Sequence, residues 1–241
     1  MSAPFIMKHL NLGFGAGSRL VVGEDGQLRA EIIWQAQYDV CPTWLRLALN
    51  HVEEASRCRD LRLSAWQGTD DEAKARTLQS EFQASIQAVV AAATALDATY
   101  ASVSKLIQIP ADEREAWRRN RKARSAQVSE VLRRAFCIGE DQAKRMREDL
   151  KEIYRVRDLA VHPAAEMKPF VSHSEMNVLV EWQFDLYSAS KAIMVVAGAG
   201  QILWVLAHNT KPTLPAIKNF ASNMKIYLQE LYPKGEPALP H

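Results

Sequence analysis

From Pro42 onward apolar residues recur at three- and four-residue spacing, and glycine is absent until Gly68. That is the period of an amphipathic helix, so the pattern predicts a first helix over Thr43 to Trp66. Thr69-Asp70-Asp71-Glu72 has the form of a capping box, in which a hydroxyl and a carboxylate satisfy orphan backbone donors. It opens a long alanine-rich helix to about Ile107, which Pro110 stops. Two shorter helices are expected over Ala111 to about Arg124 and over Ser125 to Ile138. Beyond Gly139 another runs from Glu140 and ends at Pro163. Ser172-His173-Ser174-Glu175 reads as a second capping box, opening a helix of roughly thirty-five residues to about Asn209. A last amphipathic helix spans Thr213 to Tyr232.

Residues 1–40 break this pattern. Five of the ten glycines fall there, and the runs Arg19 to Val22 and Leu28 to Trp34 flank Gly23-Glu24-Asp25-Gly26, which predicts a β-hairpin or a small sheet. Gly13-Phe14-Gly15-Ala16-Gly17 has the glycine density of a phosphate loop. It lacks the Gly-Lys-Ser/Thr ending and a strand-loop-helix setting, so it reads as a turn. The expected fold is therefore all-α: a bundle of long antiparallel helices with a small N-terminal β-hairpin appendage. The divisions are 1–40 for the appendage, 41–232 for the helical domain and 233–241 for a proline-rich tail.

Composition narrows the class. Of 241 residues 48% are hydrophobic and 24% charged, enough to bury an ordinary core in one large domain or two small ones. The three cysteines (Cys41, Cys58, Cys137) form no Cys-x-x-Cys pair, which argues against a zinc ribbon or a disulfide scaffold. With no signal-peptide pattern at the start, the expected location is cytoplasmic. The stretch Ala192 to Ala207 is sixteen residues of nearly unbroken apolar character, interrupted by Gln201. A bilayer span needs about twenty, so a buried or interface helix is expected and no membrane. Gly198 and Gly200 would let another backbone approach closely.

The net charge of +2 hides a local concentration. Arg114, Arg118, Arg119, Arg121, Lys122, Arg124, Arg133 and Arg134 face only Glu115 and Glu130 within the same stretch. Such a run is either a solvated helix face or a phosphate-contacting surface, so these eight residues are the candidate RNA-binding set.

Most enzyme signatures are missing: there is no His-Glu-x-x-His, Gly-x-Ser-x-Gly or P-loop, and the histidines show no metal-ligand spacing. No metal and no cofactor are expected. What remains is Arg157-Asp158-Leu159-Ala160-Val161-His162. On a wheel of roughly 100° per residue, Ala143, Met146, Ile153, Arg157 and Val161 fall within about 60° of Leu150, placing Arg157 in the apolar stripe. A guanidinium there cannot lose its proton, so it must face an acid, a wet subunit interface or an anionic ligand. Arg155 projects away as a surface residue. His162 precedes a proline, so the helix should unwind there and let the imidazole swing toward Arg157, near its working pH range. Asp158 is placed to orient or neutralise either one. His173, by contrast, reads as an exposed neighbour of the second capping box, and Trp182 and Phe184 as packing residues.

Arg157-Asp158-x-x-x-His162 resembles the signature of HEPN domains, an all-helical superfamily marked by an Arg, four to six residues and a His, often with Asn, Asp or His after the Arg. A second Arg-His spacing, Arg46 to His51, has Leu47 after its Arg and no proline after its His. The resemblance covers the motif and the run of helices from Thr69 to Tyr232. It implies a homodimeric, metal-independent endoribonuclease with catalytic Arg157, His162 and Asp158, acting by 2′-hydroxyl attack to leave 2′,3′-cyclic phosphate ends. It also implies RNA as partner, and is compatible with a toxin or phage-defence role under a protein inhibitor or antitoxin. Toxins of this superfamily paired with a nucleotidyltransferase carry a tyrosine two residues after the histidine; here that position is Ala164. The alternative is a non-catalytic helical module for dimerisation or for RNA or protein binding, in which Arg157 and His162 form structural ion pairs.

Overall fold

The computed structural model describes residues 10–14, 18–23, 25–162 and 168–238. The chain divides into two compact units, up to Val40 and from Cys41 onward. In the first, β2 (Arg19–Val22) and β3 (Leu28–Glu31) form an antiparallel hairpin with Arg19 opposite Glu31 and Val22 opposite Leu28. Gly26 closes its turn at φ 72, a left-handed conformation that glycine adopts without cost. The expected single run to Trp34 is instead divided. Ile33 N–H donates to Ser18 Oγ at 3.1 Å, and the chain resumes as β4 (Trp34–Tyr38), antiparallel to β1 (Leu10–Phe14). Gly13 and Phe14 thus belong to a strand and not to a turn, and 15–17 lie outside the described residues.

The second unit is all-α apart from one short strand pair. Its helices are α1 (Cys41–Ala65), α2 (Asp71–Val103), α3 (Ala111–Arg119), α4 (Arg124–Phe136), α5 (Glu140–Val161), α6 (Trp182–Leu186), α7 (Ala189–His208) and α8 (Pro215–Leu231). Asp70, not Thr69, caps α2, its carboxylate accepting from the N–H groups of Glu72 and Ala73. The buried face of α2 is largely alanine, including Ala84, Ala88, Ala91, Ala92 and Ala95. Small side chains let neighbours close in, and α2 packs along α1 and against α4, α5 and α7. The all-α expectation with an N-terminal hairpin holds.

Two further expectations fail. Residues after Ser172 do not open a long helix. They form a strand pair, β5 (Val171–Ser172) and β6 (Leu179–Val180), and α7 begins only after its N-cap Ser188. The acid of the supposed capping box, Glu175, is drawn away to arginines of α1, a tertiary pull stronger than a local cap. Gly200 admits no second helix. A Cβ there would fall against the Tyr232 ring and Pro237, so the close approach is made by the segment following α8. Helices α2 and α7 are long and apolar enough to cross a membrane by length and composition, and about half of each such window is buried within the fold.

Candidate functional site

The last turns of α5 carry the motif. Glu140 and Asp141 occupy the first turn, where acids complement the positive end of the helix. The buried face runs through Ala143, Met146, Leu150, Ile153, Tyr154 and Val156. Arg157 follows Tyr154 by three residues and sits at the edge of this stripe, its side chain 24% exposed. Val161, expected inside the stripe, is 43% exposed, because the packed face has run out by then. Arg155 lies on the exposed side, paired with Glu152 at 2.7 Å.

Of the three environments open to a semi-buried guanidinium, Arg157 meets an acid. Its Nη2 lies 3.8 Å from Asp97 Oδ2 on α2, and its guanidinium lies 5.1 Å from the centre of the Tyr154 ring. Its Nε is 3.0 Å from Asp158 Oδ1 but makes no hydrogen bond there. Asp97 is more firmly engaged elsewhere. Its Oδ1 accepts from Arg124 Nε at 2.7 Å and from the Tyr154 hydroxyl at 2.9 Å, and Arg124 stacks 4.0 Å over Tyr100. Burial, followed by the Asp97 charge, pushes the Tyr154 phenol well above its ordinary range, so it remains a donor. Burial works against the charge of Arg124, and the Asp97 hydrogen bond and charge, together with the Tyr154 and Tyr100 phenols, outweigh it to raise the pKa. Three helices, α2, α4 and α5, therefore meet at one carboxylate between two arginines.

His162 is the C-cap of α5, with φ −131 and ψ 66, and its N–H still donates to Asp158 O at 2.8 Å. The helix thus stays wound through Val161, and only His162 itself departs. Its imidazole is exposed, without a polar partner among the described residues, and Pro163 and Ala164 lie outside them. Asp158 is exposed beside Arg157.

The basic cluster divides in two. Arg124 serves Asp97, while Arg133 and Arg134 both bind Glu130, and Arg134 also grips Glu113 at 2.7 Å. Arg118 reaches Glu115 at 3.3 Å. Arg114, Arg119, Arg121 and Lys122 have no carboxylate partner among the described residues. Arg114 donates to Ser104 O and Lys122 lies 4.4 Å over Trp117. The free charge is therefore smaller than the sequence count, because Glu113 and Asp97 lie outside the counted stretch and fold back onto it.

A second charged cluster was not anticipated. Arg62 on α1 is fully buried, donating from Nε to Glu81 on α2 and from Nη2 to Glu175 at 2.6 Å. Glu81 also accepts from the Ala189 N–H at 2.9 Å, and Glu175 accepts from Arg59 at 2.9 Å and from Ser190 Oγ at 2.5 Å. Burial opposes ionisation of Glu175, but Arg59, Ser190 and Arg62 hold its carboxyl at about 2. His173 is buried here, not exposed, its Nδ1 accepting from the Glu175 N–H. Phe184, as expected, is a packing residue, 5.2 Å from Phe82. The signal for this cluster was available: Ala48, Ala55 and Arg62 repeat at seven-residue intervals, and Glu81, Ala84, Ser85 and Ala88 share one face, the same pattern that singled out Arg157.

Among the described residues no group of three or more His, Cys, Asp or Glu side chains is placed to hold a metal ion. The chain matches no protein-family model, no curated protein and no solved structure.

Proposed function

We propose that the chain is a metal-independent endoribonuclease of HEPN type, acting as a homodimer. One observation carries the reading: Arg157 is held three-quarters buried and, among the described residues, without a hydrogen bond on the last turns of a helix whose C-cap is the exposed His162. In the reaction, the ribose 2′-oxygen bonds to the adjacent phosphorus as its proton passes to one imidazole. The bond from phosphorus to the 5′-oxygen breaks, and a second imidazole protonates the leaving oxygen. The products are a 2′,3′-cyclic phosphate and a 5′-hydroxyl. Two copies of His162, one from each protomer, supply both roles, and Arg157 neutralises the extra charge of the transition state. Single-stranded or looped RNA fits best, since its backbone can reach the in-line geometry. The unpaired cations Arg114, Arg119, Arg121 and Lys122 would hold flanking phosphates. A toxin or phage-defence role, held in check by an inhibitor, is part of the same proposal.

The acid partners of Arg157 favour a second reading, in which the motif is structural and the domain binds without cleaving. Labelled RNA incubated in chelator with the wild type, Arg157→Ala and His162→Ala decides between them. Cyclic-phosphate ends from the wild type, reduced at least about a hundredfold in His162→Ala, are expected for a lost general acid or base. Equal cleavage by all three, or none by any, leaves the binding module.

A further inference from the structure

We infer that Arg124 and Arg157 form a two-arginine phosphate clamp, and that Asp97 occupies it as an internal counter-ion until a phosphodiester of single-stranded RNA arrives. The choice of RNA rests on the ribonuclease reading; the clamp rests on geometry.

Arg157 presents five N–H donors, and although three-quarters of its side chain is out of water it makes no hydrogen bond among the described residues, its Nε only facing the exposed Asp158 at 3.0 Å. A guanidinium so placed lacks acceptors in the fork geometry that two oxygens of one phosphate supply. Asp97 does not meet that need: it gives its Oδ1 to Arg124 and Tyr154 and leaves Oδ2 3.8 Å from Arg157, beyond hydrogen-bond reach. Arg124 spends only Nε on Asp97, and its terminal nitrogens have no acceptor among the described residues. Each guanidinium lies against a tyrosine ring, Arg124 on Tyr100 and Arg157 on Tyr154, which holds the two planes in place at little entropic cost. Arg124 is also the first residue of α4, whose N-cap Ala123 offers no side-chain cap, so the positive end of that helix points into the same region. The cluster is partly open to solvent, with Asp97 26% and Arg124 37% exposed, so a ligand can reach it.

A carboxylate that merely supports the arginines would weaken anion binding when altered. An internal competitor strengthens it, so the sign of the effect at Asp97 is decisive. The probe is a fluorescein-labelled single strand of 2′-O-methyl RNA, which has no attacking hydroxyl and so reports binding by anisotropy without cleavage. Inorganic phosphate is titrated in parallel. With the full chain, Arg124→Ala and Arg157→Ala are each expected to weaken binding about tenfold or more, Arg124→Lys by less, and Asp97→Asn to tighten it about threefold or more. The amide oxygen in Asp97→Asn can still accept from Arg124 and Tyr154, and a thermal melt of each variant confirms that it folds. No binding by the wild type, unchanged binding in Arg124→Ala, or weaker binding in a folded Asp97→Asn overturns the clamp. Phosphate binding without oligonucleotide binding overturns RNA as its ligand. Unmodified RNA run beside the probe separates the two ideas. Binding that follows the expected order without cleavage removes the ribonuclease and leaves the clamp. Cleavage that is indifferent to Arg124 and Asp97 removes the clamp and leaves the ribonuclease.

Discussion

The arginines of the α1–α2 cluster and those of the α2–α4–α5 cluster sit beside carboxylates of the same helix, yet they are satisfied to different degrees. Arg62 is sealed from water and donates from two of its nitrogens to Glu81 and Glu175, with only Nη1 left over. Arg157 keeps a quarter of its side chain in solvent and donates to nothing among the described residues. Two charged partners and complete burial together mark an element of architecture, because no outside group can reach even the nitrogen left over. Partial exposure with unspent donors marks a place where an outside acceptor gains. The buried cluster also ties Glu175, in the segment following α5, to α1 and α7, so the fixed cluster braces the chain beyond the open one.

Breaking each cluster in turn tests the distinction most directly. Glu81→Ala takes one of its two carboxylates from the fully buried Arg62 and the acceptor from the Ala189 N–H, leaving Glu175 alone, and should cost about 3 kcal/mol, a fall in melting temperature of about 10 °C for a domain of this size. Asp97→Ala leaves Arg124 and Arg157 with access to water and should cost about 1–2 kcal/mol, since solvent screens what the carboxylate supplied. Urea midpoints of the two variants check this. Equal losses would erase the difference between the clusters.

Acid should sharpen it next. Glu175 falls from an ordinary 4.5 to about 2, so its contribution is present above about 4.5 and disappears as pH falls through about 2. His173 loses its contribution in the same direction but at higher pH. Burial, followed by the Arg62 charge, lowers its pKa from 6.5, while Asp185, Glu81 and Glu175 nearby oppose the shift. The folded state therefore holds the neutral imidazole, and the unfolded chain takes up the proton first. Stability is complete above 6.5 and begins to fall as pH drops below it. Melting temperatures across this range should decline in two stages, and His173→Asn, which keeps an acceptor for the Glu175 N–H, should remove the upper stage alone. A profile identical to that of the wild type would show that His173 does not titrate with unfolding.

Periodicity made most of this legible. The helices from α1 to α5 and α8 follow from apolar spacing, prolines and caps, with ends displaced by a few residues. The exception, residues 171–188, shows what periodicity lacks: Glu175 looks like a local cap, and only the positions of Arg59 and Arg62, more than a hundred residues away, reveal where it goes. Arg157 was legible as a misplaced cation for the reason that Arg62 and Glu81 also were, yet the wheel gives only the anomaly and not the partner. Asp97 lies sixty residues before Arg157 and shares no motif with it. The basic cluster was overcounted for a related reason, since charge along the chain ignores acids that arrive from neighbouring turns and helices.

Arg121 offers the smallest test and separates charge from backbone. It adopts φ 47 just past Asn120, the C-cap of α3, where Lys122 N–H reaches back to Trp117 O at 2.9 Å to close the helix. A left-handed turn of this kind favours glycine, and a side chain there costs about 1 kcal/mol. Arg121→Gly should therefore raise the melting temperature by about 2–4 °C while removing one cation of the unpaired group. If that cation meets an RNA phosphate, the slope of log affinity against log salt should shrink by about 0.7. A gain in stability with an unchanged slope would assign Arg121 to solvent and confine the phosphate contacts to its neighbours. A loss of stability would mean that the arginine side chain holds the turn, and the contrast between free and committed arginines would no longer extend to α3.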